Sequence, residues 1–201
     1  MRSYGQFCAV ARALDVIGDR WTPLIVRELL LGPRRFTELQ RGLPGIATNL
    51  LATRLTTAQE QGIVEHDGAV YRLSPDGEAL RPLMREAVRW GMRHMGEIGE
   101  DDAFRSRWLV LALRVLLTAP DGTRATVLIE SGDEPIVVTV RDGRLDVDLG
   151  DTDSPDAVVG GPPDAVLNYL TGAMSLTAAR RHGVRITGDR KAVAALRTEE
   201  G

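Results

Sequence analysis

A chain of 201 residues with 43% hydrophobic and 26% charged side chains has the balance of a folded globular protein, not of a disordered or collagen-like one. At this length roughly 70% of the unfolded surface can be buried, so neither disulfide nor metal is needed as a staple. Twenty-five basic residues against 28 acidic ones leave a net charge of −3, which taken whole argues against a nucleic-acid partner. The single cysteine, Cys8, excludes an internal disulfide and a multi-cysteine zinc site. His66, His94 and His182 are scattered and suggest no ligand set, so neither metal nor cofactor is expected. The opening MRSYGQFCAVARALD lacks a signal peptide's apolar core. The most apolar run, Trp108 to Leu117, is interrupted by Arg114 and too short for a bilayer. A cytoplasmic protein with no membrane partner is expected.

The two halves differ. Residues 1–99 carry 13 basic and 11 acidic side chains, a net of +2, whereas residues 100–201 carry 12 and 17, a net of −5. The cluster Glu97, Glu100, Asp101 and Asp102, interspersed with Gly96 and Gly99, reads as a solvated linker. Two domains follow, 1–100 and 101–201, each of ordinary size. Lys191 is the only lysine, so the positive charge is almost all arginine.

In chain order, residues 8–17 place Val10, Leu14 and Ile17 at helical spacing and Gly18 stops the run. Pro23 lies near the start of a second helix carrying Leu24, Ile25, Leu29 and Leu30, ended by Gly32-Pro33. Thr37-Glu38-Leu39-Gln40 reads as a capping box with Thr37 as cap, opening a brief helix closed by Gly42, Pro44 and Gly45. A longer helix spans Thr48 to Gln61 with Leu51, Leu55 and Ala58 inward. Ile63–His66 and Ala69–Leu73 read as strands joined by a two-residue type I′ turn at Asp67-Gly68. Ser74 caps a long helix with Pro75 at its first position, reaching about Met95. Helix, helix, short helix, turn, helix, hairpin, helix is the order of a winged helix-turn-helix domain, with residues 37–61 as its helix-turn-helix.

The residues that carry this pattern resemble the HxlR-type winged-helix transcriptional regulators. They are Cys8-Ala9-Val10, Ala13-Leu14, Ile17-Gly18, Trp21-Thr22, Leu24-Ile25 and Arg27-Glu28-Leu29, then Gly32-Pro33-Arg34-Arg35-Phe36-Thr37-Glu38-Leu39. The likeness continues through Leu43-Pro44-Gly45-Ile46, Leu51, Arg54-Leu55, Gly62-Ile63-Val64 and Tyr71-Arg72-Leu73-Ser74-Pro75, covering about residues 4–95. It implies a homodimer on a two-fold-symmetric DNA operator. Short polar side chains on the outer face of the 48–61 helix suit close approach to bases and phosphates: Thr48, Asn49, Thr53, Thr56 and Thr57. Asn49 suits adenine, and the threonines suit phosphates or thymine methyls. Arg54 is placed either to reach phosphate or to form an internal ion pair. Arg34 and Arg35, with Thr37 beside them, are placed to neutralise phosphate, and His66 and Arg72 are the cationic candidates on the wing. Against the family pattern, Ala47 and Asn49 stand where Ser and Lys are usual, so the cap is expected to move to Thr48 and one cation is lost. The wing tip is short and acidic. Weak non-specific binding with a shallow salt dependence is expected. The resemblance also marks Cys8 as a possible redox residue; the other reading is a small interior residue packing the first helix against its dimer mate.

The second half reads as α+β: a helix at Phe104–Leu117, then strands at Thr123–Glu130, Pro135–Val140 and Arg144–Leu149, the last two joined by Arg141-Asp142-Gly143. A strand at Ala157–Val159, helices at Pro163–Leu170 and Ser175–His182, a strand at Val184–Thr187 and a helix at Asp189–Arg197 complete it. The pattern from Ala157-Val158-Val159 through Pro163-Asp164-Ala165-Val166, Leu170-Thr171-Gly172, Ser175-Leu176, Ala178-Ala179 and Gly183–Asp189 resembles a sterol carrier protein-type domain. Such a domain implies an apolar tunnel, here lined by some of Trp108, Leu111, Val127, Ile129, Val138, Leu167, Leu170, Met174 and Leu176; the same side chains serve equally as a filled core.

The sequence thus predicts a homodimeric transcriptional regulator, expected to repress, that responds to a small hydrophobic effector. Val10, Leu14, Leu83, Val88, Trp90 and Met92 are expected to be partly buried between protomers. The competing reading is a carrier protein using the winged domain only to dimerise. No nucleophile–base pair or Gly-rich phosphate loop points to an enzyme.

Overall fold

The computed structural model describes residues 3–96 and 98–196; Glu97 of the predicted linker and Arg197 at the end of the predicted last helix lie outside them. The chain divides into two compact units, Met1–Ala87 and Val88–Gly201.

The first unit opens with α1 (Ala9–Ile17) and α2 (Thr22–Leu29). Pro23 sits in the first turn of α2, and the Asp19 carboxylate accepts from the N–H groups of Trp21 (2.8 Å) and Thr22 (3.1 Å), supplying partners the helix start lacks. Two further helices follow, α3 (Phe36–Gly42) and α4 (Thr48–Glu60), then a hairpin of β1 (Val64–His66) and β2 (Tyr71–Leu73). The core gathers Ile25, Val26, Leu29, Leu39, Leu43, Leu51, Leu55 and Ala58. Gly45 breaks the chain between α3 and α4 at φ +84°, a left-handed conformation that costs glycine little.

Four local expectations are corrected. The cap of α3 lies two residues earlier than Thr37: it is Arg35, and Glu38 Oε2 accepts from the Arg35 N–H at 2.7 Å. The cause is Arg34, whose N–H and C=O pair with Tyr71 at 2.8 and 2.7 Å and fix where the helix begins. The cap of α4 is Ala47, without a side-chain bond, and not Thr48, which is already helical. The wing turn is not a two-residue Asp67-Gly68 turn, because His66 pairs with Tyr71 and residues 67–70 form the loop. There Asp67 Oδ1 accepts from the N–H groups of Ala69 and Val70, both at 3.0 Å, which holds the wider turn. Finally, Ser74 does cap a helix, accepting from Gly77 N–H at 3.0 Å, but the long helix is broken into α5 (Pro75–Glu78) and α6 (Arg81–Gly91), followed by a 3₁₀ turn at Met92–His94. Pro82 explains the break: it donates no hydrogen bond and its ring clashes with the carbonyl four residues back.

The second unit is α+β. Helix α7 (Ser106–Leu116) precedes β3 (Arg124–Glu130), β4 (Ile136–Arg141), β5 (Arg144–Leu149) and β6 (Ala157–Gly160). Helices α8 (Pro163–Leu170) and α9 (Leu176–Arg181), strand β7 (Arg185–Gly188) and helix α10 (Arg190–Ala194) complete it. The sheet order is β5-β4-β3-β6-β7, with β3 and β6 parallel and the other pairs antiparallel. Alternation sends Val127, Ile129, Val138, Val140, Val147 and Val159 to one fully buried face, while Thr126, Val137, Thr139 and Val158 on the other are only half-buried. Helix α7 packs on β5, and α10 on β3 and β6. The β4–β5 register runs to Arg141 opposite Arg144, leaving a two-residue turn with Asp142 at φ +51° and Gly143 at φ +75°, both left-handed as a type I′ turn requires.

Candidate nucleic-acid interface

The end of α3 is held to α2 by a buried charge. Glu28 on α2 is 2% exposed, and its Oε1 accepts from Arg27 Nε (3.1 Å) and Nη2 (2.8 Å). The same guanidinium donates to the Gly42 carbonyl at 3.1 Å, tying the end of α3 to α2. Burial pulls the Arg27 pKa down, and Glu28 opposes that by favouring the charged form. Gly42 leaves room for this carboxylate, since a Cβ there would stand 2.6 Å from Glu28 Oε2. Across the turn, Gln40 Nε2 donates to Thr48 Oγ1 at 2.6 Å.

Helix α4 buries Leu51, Leu55 and Ala58 and exposes Thr48, Asn49, Ala52, Thr53 and Thr56; Thr57 is half-buried. Asn49 Oδ1 accepts from Leu50 N–H at 2.9 Å. Thr53 donates its hydroxyl proton to Asn49 O (2.9 Å) and Thr56 to Ala52 O (3.1 Å). Of the two roles open to Arg54, the structure takes the internal one: its Nε lies 3.4 Å from Asp19 Oδ1, a charge contact and not an aligned hydrogen bond. Asp19 therefore joins the start of α2 to α4, a role the sequence reading missed although an Asp two residues before Trp21-Thr22 is a recognisable helix-start signal.

The other predicted residues fall into two groups. Arg35 and Thr37 are exposed at the start of α3. Arg41 on the same helix is exposed too, donates to the Thr37 carbonyl at 3.3 Å, and was not anticipated. By contrast, Arg34 faces Glu38 at 3.6 Å, and Arg72 is paired with Asp67. His66 stacks on Tyr71 with ring centroids 4.1 Å apart, which fixes the wing hairpin.

Away from the helix pair, Cys8 is exposed at the cap position of α1 and makes no capping bond, so in the single chain it is not an interior residue. Tyr4, Phe7, Val10 and Leu14, on the segment leading into α1 and on α1 itself, are large apolar side chains open to solvent, as are Leu83 and Trp90 on α6; Val88 and Met92 are half-buried.

The model of the HxlR-like helix-turn-helix family matches residues 16–98. The HTH-type transcriptional regulator YvaP of Bacillus subtilis is 34% identical over 86 residues, which is 39% of this chain and 80% of YvaP. The chain belongs to the HxlR-like helix-turn-helix family. YodB of the same organism, an HTH-type transcriptional regulator, is 33% identical over 85 residues, 39% of this chain and 76% of its own. The crystal structure of quinone-bound YodB aligns with 42% of this chain and 96% of that one, at 33% identity and a TM-score of 0.40.

In the second unit, Val127, Ile129, Val138 and Leu170 are wholly buried, and Leu111 and Leu167 nearly so. Trp108, Met174 and Leu176 are half-buried. An open cavity of about 300 Å³ lies elsewhere, lined by Leu128, Glu130, Ser131, Gly132, Asp133, Glu134, Pro135 and Asp151. Among the described residues no group of acidic, histidine or cysteine side chains is arranged to hold a metal ion, and no helix is long and apolar enough to cross a membrane.

Proposed function

We propose that the protein is a homodimeric regulator of transcription that binds a two-fold-symmetric DNA site through α4 of each protomer, as a repressor. The observation that carries this is the exposed polar face of α4 on a helix-turn-helix whose sequence belongs to the HxlR-like family. Arg35, Thr37, Thr48, Asn49, Thr53 and Thr56 are the contacts proposed from the front of the helix pair, with Arg34, His66 and Arg72 flanking them. The exposed Tyr4, Phe7, Val10, Leu14, Leu83 and Trp90 support dimerisation, since apolar groups of this size seldom stay in water. Two recognition helices then enter major grooves about 34–36 Å apart. Footprinting on the DNA upstream of the protein's own coding sequence, at moderate salt, tests the reading. Protection of two half-sites one turn apart is expected; equal binding to any sequence refutes it.

We propose further that the second unit, whose helices α7 and α10 pack on its sheet, is a sterol carrier protein-type domain that takes a small apolar effector among Trp108, Leu111, Leu167, Met174 and Leu176. Its ligand would shift DNA affinity by a coupling of about 1–3 kcal/mol. Native mass spectrometry of the purified chain is expected to show a retained apolar molecule, and a chain that carries none and gains no thermal stability from apolar compounds refutes this part.

A further inference from the structure

The hydrogen bonds along α4 decide what kind of base it can read, given the DNA-binding reading above on which this inference rests. Asn49, Ala52, Thr53 and Thr56 stand at i, i+3, i+4 and i+7 and are all exposed, opposite Leu51, Leu55 and Ala58. A hydroxyl has one proton to give. Thr53 gives its proton to Asn49 O at 2.9 Å and Thr56 to Ala52 O at 3.1 Å. What each threonine then presents outward is a methyl group and acceptor lone pairs, with no donor left for a phosphate oxygen or for guanine N7 and O6. Ala52 adds a third methyl between them. Guanine is most often read by a bidentate arginine or lysine. The one cation on α4, Arg54, is half-buried with its Nε turned to Asp19 at 3.4 Å. The major-groove group that matches the methyl-bearing patch of Ala52, Thr53 and Thr56 is the 5-methyl of thymine, and the Asn49 amide at the head of the same face, with both a donor and an acceptor, suits its partner base, adenine.

We infer that α4 selects A·T base pairs by apolar contact of Ala52, Thr53 and Thr56 with thymine methyls, and does not read guanine. The threonine methyls, not the hydroxyls, are the specificity-determining groups.

The test begins by selecting sites for the full chain from a randomised duplex pool. Each thymine of the selected half-site is then replaced by deoxyuridine, which removes the methyl and keeps every hydrogen-bonding group. Burial of one methyl predicts a loss of about fourfold in affinity for each contacted thymine. Thr53→Ser and Thr56→Ser should each lose about the same factor and become insensitive to the matching deoxyuridine, because one methyl–methyl contact cannot be lost twice. Thr53→Val and Thr56→Val should keep the parent affinity. The inference is overturned if deoxyuridine is silent at every position, if guanines dominate the selected core, or if the valine variants lose binding that the serine variants keep. Failure to enrich any sequence overturns the DNA-binding reading itself, so the two failures are told apart.

Discussion

Replacing Glu28 by glutamine tests whether the helix-turn-helix is held by a buried charge. The substitution keeps the shape of a side chain that is 2% exposed but removes the charge facing Arg27. Removing one partner of a buried pair costs about 3–5 kcal/mol, chiefly because the other charge stays desolvated. Arg27 retains 18% of its side-chain exposure and its bond to the Gly42 carbonyl, and the glutamine oxygen can still accept. The lower end, about 3 kcal/mol, is therefore expected. Urea unfolding followed by Trp21 fluorescence reads it, in a Trp90→Phe, Trp108→Phe background that leaves the first unit's only tryptophan as reporter. With an m-value of about 1.5 kcal/mol/M, the midpoint should fall by about 2 M. A fall below about 0.5 M would mean that water reaches the pair and that it contributes no more than a surface ion pair.

Gly42→Ala attacks the same lock from the other helix. Its Cβ would sit 2.6 Å from Glu28 Oε2, so a loss of about 1–3 kcal/mol is expected in the same unfolding assay. The segment before α1 should detach in acid. Asp15 accepts from Tyr4 N–H and the Ser3 hydroxyl, both at 2.8 Å, and these bonds, with Arg12, hold its pKa below 3.8 despite opposing desolvation. A lowered carboxylate pKa means the tether is complete above the unfolded value and is lost as pH falls through the folded one, so the Tyr4 amide resonance should move below pH 3.8 and be insensitive above about 5. Salt should weaken DNA binding only modestly. Arg34, Arg54 and Arg72 face carboxylates and leave Arg35 and Arg41 as the exposed cations of the helix pair. A slope of log K against log salt of about −4 per dimer is expected by titration, and one steeper than about −8 contradicts the internal pairing. Leu14→Arg, on an exposed face of α1, should yield monomers by light scattering if that face joins two protomers.

The sequence disclosed the order of elements because apolar spacing and glycine or proline punctuation are local signals. It failed where a distant strand decided a local choice. The same dipeptide, Asp-Gly, closes a type I′ turn at 142–143 but only begins a wider loop at 67–70. In the first case the register of β4 and β5 runs unopposed to the turn. In the second, Arg34 pairs with Tyr71 from outside the hairpin and Asp67 spends its carboxylate on Ala69 and Val70. Arg34 likewise moved the start of α3 ahead of the capping box at Thr37. The break at Pro82 was legible, since a proline inside a helix leaves a carbonyl without its donor. At the candidate interface, residue types identified which side chains face outward on α4, but not that its arginine turns to Asp19 or that the Thr53 and Thr56 protons are already given. Both depend on partners that spacing does not reveal.

Arg114 on α7 reaches across to β5, donating from Nε to the Val147 carbonyl at 2.8 Å and from Nη2 to Asp148 at 2.6 Å. Strand β5 is an outer strand of its sheet. Its unpaired backbone would otherwise be a template on which another chain could add. The guanidinium takes one of those acceptors and is itself paired with Asp148, so an incoming strand would have to displace a charged hydrogen bond. That edge of the sheet is thereby guarded against the addition of a strand, and the other outer strand, β7, has no such guard from Arg114.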